Sequence, residues 1–232
     1  MVQEKLHESI LNLIIVPGHA VYVGSSPADA YDGTKWIGTY AGYKYNDEVA
    51  NYVGHIQRGI MLSGRDAKSV LIFSGGKTRK ATQLSEAESY RNLAMQNSWF
   101  GADRVGNKTR IEEYATDSFE NLLFSIQLFR LLHASKKYPD KVTVVGLRFK
   151  RKRYEMHAET IIQNQYKGIP PFVFRYDDCN DIPDYVLREG SGENEELTLQ
   201  QFRVWPYGDQ GDLLKKRQGR DPHGWYSRKP YF

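Results

Sequence analysis

Apolar positions along this chain alternate between short unbroken runs and runs spaced by three and four residues, so strands and amphipathic helices take turns. Leu13, Ile14, Ile15 and Val16 form a β-branched run stopped by Pro17-Gly18, which predicts a buried first strand over 11–16. Val49, Tyr52, Val53, Ile56 and Ile60 then keep the helical period, with Asn46 or Asp47 as the cap. A second strand is predicted over 70–73, and a helix over 85–96 presents Ala87, Tyr90, Leu93 and Ala94 on one face. A short third strand over 109–112 leads to Asp117-Ser118-Phe119-Glu120, an N-cap with an acid three residues on. The helix that follows carries Leu122, Leu123, Ile126, Phe129 and Leu132 toward a core. Beyond Pro139 come a fourth strand over 142–145, a helix over 152–165 and a fifth strand over 172–174.

This alternation predicts an α/β fold, a Rossmann-like open parallel sheet of about five strands with helices on both faces. The pattern breaks after residue 177, so the chain divides into a sheet domain over 1–177 and a C-terminal extension over 178–232. The extension is polar and turn-rich, with helices expected over 193–202 and near 211–217. Trp205, Tyr207, Trp225, Tyr226, Tyr231 and Phe232 are too many large aromatics for a disordered tail, and should pack on the sheet domain.

Composition narrows the setting. The 232 residues are 40% hydrophobic and 13% aromatic, enough for a real core, and the net charge of +4 is too slight to imply nucleic acid by itself. A single cysteine, Cys179, excludes an internal disulfide and a cysteine-based metal site, which fits a reducing, cytoplasmic location. The polar N-terminus and the short 13–16 run predict neither signal nor membrane segment. Without secretion, the sequon Asn107-Lys108-Thr109 carries no meaning.

Chemistry concentrates after the second strand, where Ser74-Gly75-Gly76-Lys77-Thr78-Arg79 reads as an anion-binding turn ahead of a helix opened by Ser85 and Glu88. It is not a P-loop, because Leu71 stands where that motif needs glycine, and no dinucleotide fingerprint follows any strand. The alternative is a tight glycine exit with Lys77 and Arg79 in solvent. Ligands of open parallel sheets bind beyond the carboxyl ends of the strands. Four such ends are loaded: Pro17-Gly18-His19, the Ser74 turn, Glu112-Glu113 before Asp117-Ser118, and Arg148 through Arg153.

Lys150, Arg151, Lys152 and Arg153 open a helix, where the macrodipole makes each exposed cation unfavourable by about 0.3–1 kcal/mol. A bound anion offsets that, with Arg153 suited to bidentate recognition, whereas Glu155 and Glu159 offer plain surface pairing. His19 is a candidate catalytic residue or a mere loop holder. Glu112 is a candidate general base, Glu113 should point the other way, and Glu120 serves as a capping-box acid. His55, His133 and His157 read as helix residues of surface or core, with no zinc-ligand spacing.

These residues resemble the YdcF/SanA/ElyC-like family, domain of unknown function 218, and within it the fungal cytosolic branch. The likeness runs over 11–174 and rests on Gly18, on Ser74-Gly75-Gly76 followed by Ser85-Glu86-Ala87, on Glu112 through Ser118 to Glu120-Asn121, and on Arg153. Departures fall at Ala115 (the family's serine), Ser118 (its threonine) and Lys150 (its histidine), the last removing any mechanism that needs that histidine. The resemblance implies a Rossmann-like fold with a site at the strand ends, with Gly18 and Glu86 among the ligand-binding residues, but supplies no reaction. The tail motifs from Asp212 to Arg217, at Arg220-Asp221-Pro222 and at Pro230-Tyr231-Phe232 resemble the fungal members alone.

The expectation is a small-molecule enzyme that binds a phosphorylated or carboxylated metabolite and catalyses hydrolysis or group transfer. Ser74, Gly75, Gly76 and Lys77 would cradle the anion, Arg153 and Lys150 would face it, and His19 or Glu112 would act as acid and base. Ser118 and Asn121 would orient polar groups, and magnesium shared by Glu112, Asp117 and a substrate phosphate is compatible with the pattern. The alternative is a non-catalytic sensor of a nucleotide-like ligand such as S-adenosylmethionine. Nucleic-acid binding through 148–153 ranks last, because aromatics are not interleaved with those cations. Homo-oligomerisation stays open.

Overall fold

The computed structural model describes residues 3–39, 45–178 and 192–231, apart from the side chains of 45–47 and 192–194. Strand β1 (Asn12–Pro17) is followed by a small antiparallel ribbon, β2 (Val21–Tyr22) with β3 (Trp36–Ile37), and then by α1 (Tyr45–Arg65). The alternation continues through β4 (Ser69–Ser74), α2 (Glu86–Gln96), the short α3 (Arg104–Asn107), β5 (Thr109–Glu112), α4 (Ser118–Leu132), β6 (Lys141–Val145), α5 (Arg151–Gln163) and β7 (Val173–Asp177). Two helices, α6 (Gly192–Val204) and α7 (Gly211–Gly219), belong to the extension.

The five long strands form one wholly parallel sheet in the order β5-β4-β1-β6-β7, a Rossmann-like α/β arrangement. Strand order reverses between β1 and β6, which opens a crevice above their carboxyl ends. Strand periodicity sends Ile14, Val16, Leu71 and Phe73 to one face, against Val53, Ile56 and Ile60 of α1 and Tyr90 and Leu93 of α2. Leu13, Ile15, Val70, Ile72, Val142 and Val144 face the other way, onto Leu122, Ile126 and Phe129 of α4 and Ile161 of α5. Each such fully buried side chain is worth about 1.5–3 kcal/mol over its exposed state, so the parallel strands need no polar face.

Several details depart from the pattern. The β2–β3 ribbon lies in a stretch that reads as loop, and it exists to deliver Tyr22 and Trp36 to the α1–α2 face, where their rings lie 5.2 Å apart. Helix α1 starts at Tyr45, ahead of the caps expected at Asn46 or Asp47, whose side chains lie outside the described ones, as do Cys179 and Phe232. At α4 the Asp117 carboxylate caps the Glu120 amide at 2.9 Å, as expected. Glu120 does not complete a capping box there: its Oε2 accepts from the amide and hydroxyl of Thr116 instead, at 2.8 and 2.6 Å. Among the described residues no helix is long and apolar enough to cross a membrane.

Candidate functional site

At the crossover, β1 runs out through Gly18 into His19, which is 9% exposed. The His19 backbone is held from two sides, its amide donating to the Tyr90 hydroxyl at 3.1 Å and its carbonyl accepting from Nη2 of Arg79 at 3.1 Å. The ring packs 5.3 Å from Tyr52 and edge-on to His55 at 5.7 Å. Nζ of Lys150, from the turn that opens α5, lies 3.1 Å from Nδ1 of His19. An ammonium has only hydrogens to offer, so the imidazole hydrogen sits on Nε2. Burial first, and the Lys150 charge second, hold His19 well below the usual histidine range, and it is neutral at physiological pH.

Nε2 of His19 is buried without a hydrogen-bond partner among the described residues, and so are both ring nitrogens of His55 and Nε of Arg79. Buried polar atoms are normally paired, so orphans gathered at one place in the fold mark it as a candidate site. His55 reads from sequence as an ordinary helix residue. Its signal was positional: Glu48, Tyr52 and His55 follow one another at helical spacing on the buried face of α1.

The β4 and β5 ends make a second group. Ser74 and Glu112 are register partners, and the Ser74 hydroxyl lies 2.6 Å from Oε2 of Glu112 and 2.8 Å from Oδ1 of Asn121 on α4. Oε1 of Glu112 accepts from the amides of Tyr114 and Ala115 at 2.7 and 3.2 Å. Burial pushes this carboxyl up to about 8. Glu112 and His19 thus belong to separate hydrogen-bonded groups. Glu113 turns away as expected and accepts from the Ser85 hydroxyl at 2.9 Å.

The amide cradle foreseen at Gly75 and Gly76 is not formed. Their N–H groups are spent on the carbonyls of Glu112 and Ala115, at 2.9 and 2.8 Å, and their carbonyls receive the first amides of α2 at 3.1 Å. The helix N-terminus holds a carboxylate of the chain's own, Glu86, whose Oε1 accepts from the Thr78 hydroxyl at 2.6 Å. The glycines are needed for this close approach: a Cβ on Gly75 would stand 2.7 Å from Glu86 Oε2, and one on Gly18 would overlap Glu86 Cβ. Lys77 lies over the Trp225 ring, 4.1 Å from its centroid, rather than over an anion site.

The third group gathers under the extension. Arg153 is gripped by the Glu195 carboxylate of α6, Nε to Oε1 at 2.8 Å and Nη2 to Oε2. Nη1 of Arg153 lies 3.5 Å from the Ser118 hydroxyl, which is 2.9 Å from Nε2 of His157. His157 is fully buried between Phe119 and Phe202, and burial with the charges of Arg153 and Arg217 holds it well below the usual histidine range. Arg217 of α7 reaches Asp117 at 2.5 Å and Glu120 at 3.4 Å, and the Tyr226 hydroxyl donates to Glu120 at 2.5 Å. Asp117 and Glu112 therefore point to different partners. Among the described residues no three histidine, cysteine, aspartate or glutamate side chains are grouped to hold a metal ion.

The extension packs over the strand ends, with Trp225 stacked on Tyr114 at 5.6 Å and the Tyr231 hydroxyl 3.5 Å from Glu112. Within the basic cluster after β6, Asp178 pairs with Arg151 at 2.7 Å and Arg148 at 3.5 Å. His19, Lys150, Arg153 and Ser118 are thus brought to one end of the sheet, whereas the glycines, Lys77 and Glu86 are committed to packing.

No family model matches the chain, and no solved structure matches it. It is 29% identical over 259 aligned residues to an uncharacterized protein of Saccharomyces cerevisiae, YOR238W, across 91% of this chain and 84% of that protein.

Proposed function

We propose that the chain is an enzyme acting on a small anionic metabolite, phosphorylated or carboxylated, bound above the β1–β6 crossover. The observation that carries this reading is Nε2 of His19: a buried donor with no partner among the described residues, in a ring whose other nitrogen is engaged by a buried lysine. A neutral imidazole held in this tautomer donates a hydrogen bond to a developing negative charge, which suits polarisation of a carbonyl or phosphoryl oxygen. His19 is therefore the electrophilic partner rather than the base. Lys150 sets its tautomer, and Lys150 and Arg153, three residues apart where α5 begins, supply positive charge for the anion. Ser74 takes or gives a proton relayed by Glu112, whose value of about 8 suits exchange near neutral pH. Hydrolysis or group transfer fits these groups.

The test is a panel of sugar phosphates, nucleotides and carboxylates, each scored for thermal stabilisation and for turnover with the parent protein and His19→Gln. A ligand at a hundred times its dissociation constant adds about 2.7 kcal/mol. A compound that stabilises both proteins and is consumed by the parent alone supports the proposal. A compound that stabilises both and is consumed by neither replaces it with the sensor reading.

A further inference from the structure

The anion expected on Arg153 is present, supplied by the chain itself. We propose that Glu195 is an internal stand-in for a carboxylate of the ligand, so that α6 is a cover which an incoming carboxylate displaces from Arg153. This rests on the reading of the strand ends as an anion site, and it narrows that anion to a carboxylate.

Three observations carry it. The guanidinium already shows its preferred partner, since both Glu195 oxygens are taken side-on by Nε and Nη2, a planar match that a carboxylate makes in full. The pair is built rather than incidental: the Arg153 and Glu195 side chains are 12% and 8% exposed, and the Ser118 hydroxyl sits 3.5 Å from the remaining nitrogen of the guanidinium. The contact is one-sided: among the described residues α6 meets the domain through a stripe at helical spacing, Glu195, Leu199 and Phe202, while Leu197 and Val204 face solvent. Removing the anion from a buried guanidinium is costly, so α6 and a ligand carboxylate compete for Arg153 and neither leaves it bare. A tethered competitor acts at millimolar effective concentration, which sets the ligand level at which the site opens.

Malonate is the probe, with inorganic phosphate beside it, in chloride-free buffer on the full chain. Binding is read by calorimetry, and opening by hydrogen exchange of the α6 amides. The expected result is that Glu195→Gln binds malonate at least tenfold more tightly than the parent, with Glu195→Asp between them. Malonate should speed α6 exchange in the parent, and Arg153→Ala/Glu195→Gln should lose the gain. Equal malonate affinity in parent and Glu195→Gln overturns the proposal, and so does a gain for phosphate with none for malonate. Neither readout depends on turnover: a tenfold gain in a protein that consumes nothing refutes only the enzyme reading, whereas turnover with no gain refutes only the stand-in.

Discussion

The Ser74 hydroxyl and Oε2 of Glu112 lie 2.6 Å apart at neighbouring strand ends, and the same hydroxyl lies 2.8 Å from Oδ1 of Asn121. A hydroxyl has one hydrogen and here meets two acceptors. A protonated Glu112 resolves the conflict, donating to Ser74 while Ser74 donates to Asn121. Burial, which pushes the Glu112 carboxyl up to about 8, supplies that proton at neutral pH.

The pH consequence has a definite sign. A carboxyl raised in the folded protein binds a proton that the unfolded chain has already released, so its contribution is full below the ordinary carboxylate range and is lost as pH rises through about 8. Stability should fall between about pH 7 and 9, by up to about 1.4 kcal/mol per unit from this group. Glu112→Gln offers an amide donor to Ser74 at every pH and keeps an acceptor for Tyr114 and Ala115. Its melting temperature should therefore be flatter over that range and exceed the parent's at pH 9; parallel curves would show that Glu112 is ionised throughout.

His19, His55 and His157 act in the opposite direction. All three are held below the usual histidine range by burial, His55 to about 3, so the unfolded chain takes up protons that the folded one refuses. Their contribution is full above about pH 6.5 and is lost as pH falls below it. Together with Glu112 this places the stability maximum at roughly pH 6.5–7. His55→Leu, which removes two buried nitrogens unpaired among the described residues, should leave neutral-pH stability unchanged or raised and make the acid limb shallower. A loss above about 2 kcal/mol in urea would instead show that the ring is hydrogen-bonded.

The Lys150–His19 contact makes a spectroscopic prediction. With Lys150 donating to Nδ1, the ring nitrogens of His19 should show the Nε2–H tautomer in long-range proton–nitrogen correlation spectra of labelled protein. Lys150→Met removes the donor and the nearest charge, so the tautomers should mix and the titration should move up toward the ordinary value. A spectrum indifferent to Lys150→Met would place the hydrogen by some other contact.

The sheet was legible because the central strands β1 and β4 are apolar on both faces, from Leu13 through Phe73, and the longer helices carry apolar stripes, from Val53 through Ile161. The site was legible in part. Residues at strand ends, such as His19, Ser74, Glu112 and Lys150, follow from topology alone. Partners supplied by distant segments do not: nothing local to Arg153 indicates that Glu195, 42 positions on, takes its fork, or that Arg217 meets Asp117 across 100 positions. The glycine pair misled for a physical reason. A close approach of backbone to a ligand and a close approach of backbone to Glu86 require the same residue.

That last point can be tested at Gly18, which no turn conformation requires. Its added Cβ would overlap Cβ of Glu86, an atom fixed to the first turn of α2, so relief requires moving the helix rather than rotating a side chain. Gly18→Ala should cost about 1–3 kcal/mol in urea denaturation, the range for overpacking a filled interior. Glu86→Ala keeps the offending Cβ and should not rescue it, whereas Glu86→Gly should recover part of the loss beyond its own helix penalty of about 1 kcal/mol. Rescue by Glu86→Ala would mean that the carboxylate, not the backbone approach, is what Gly18 accommodates.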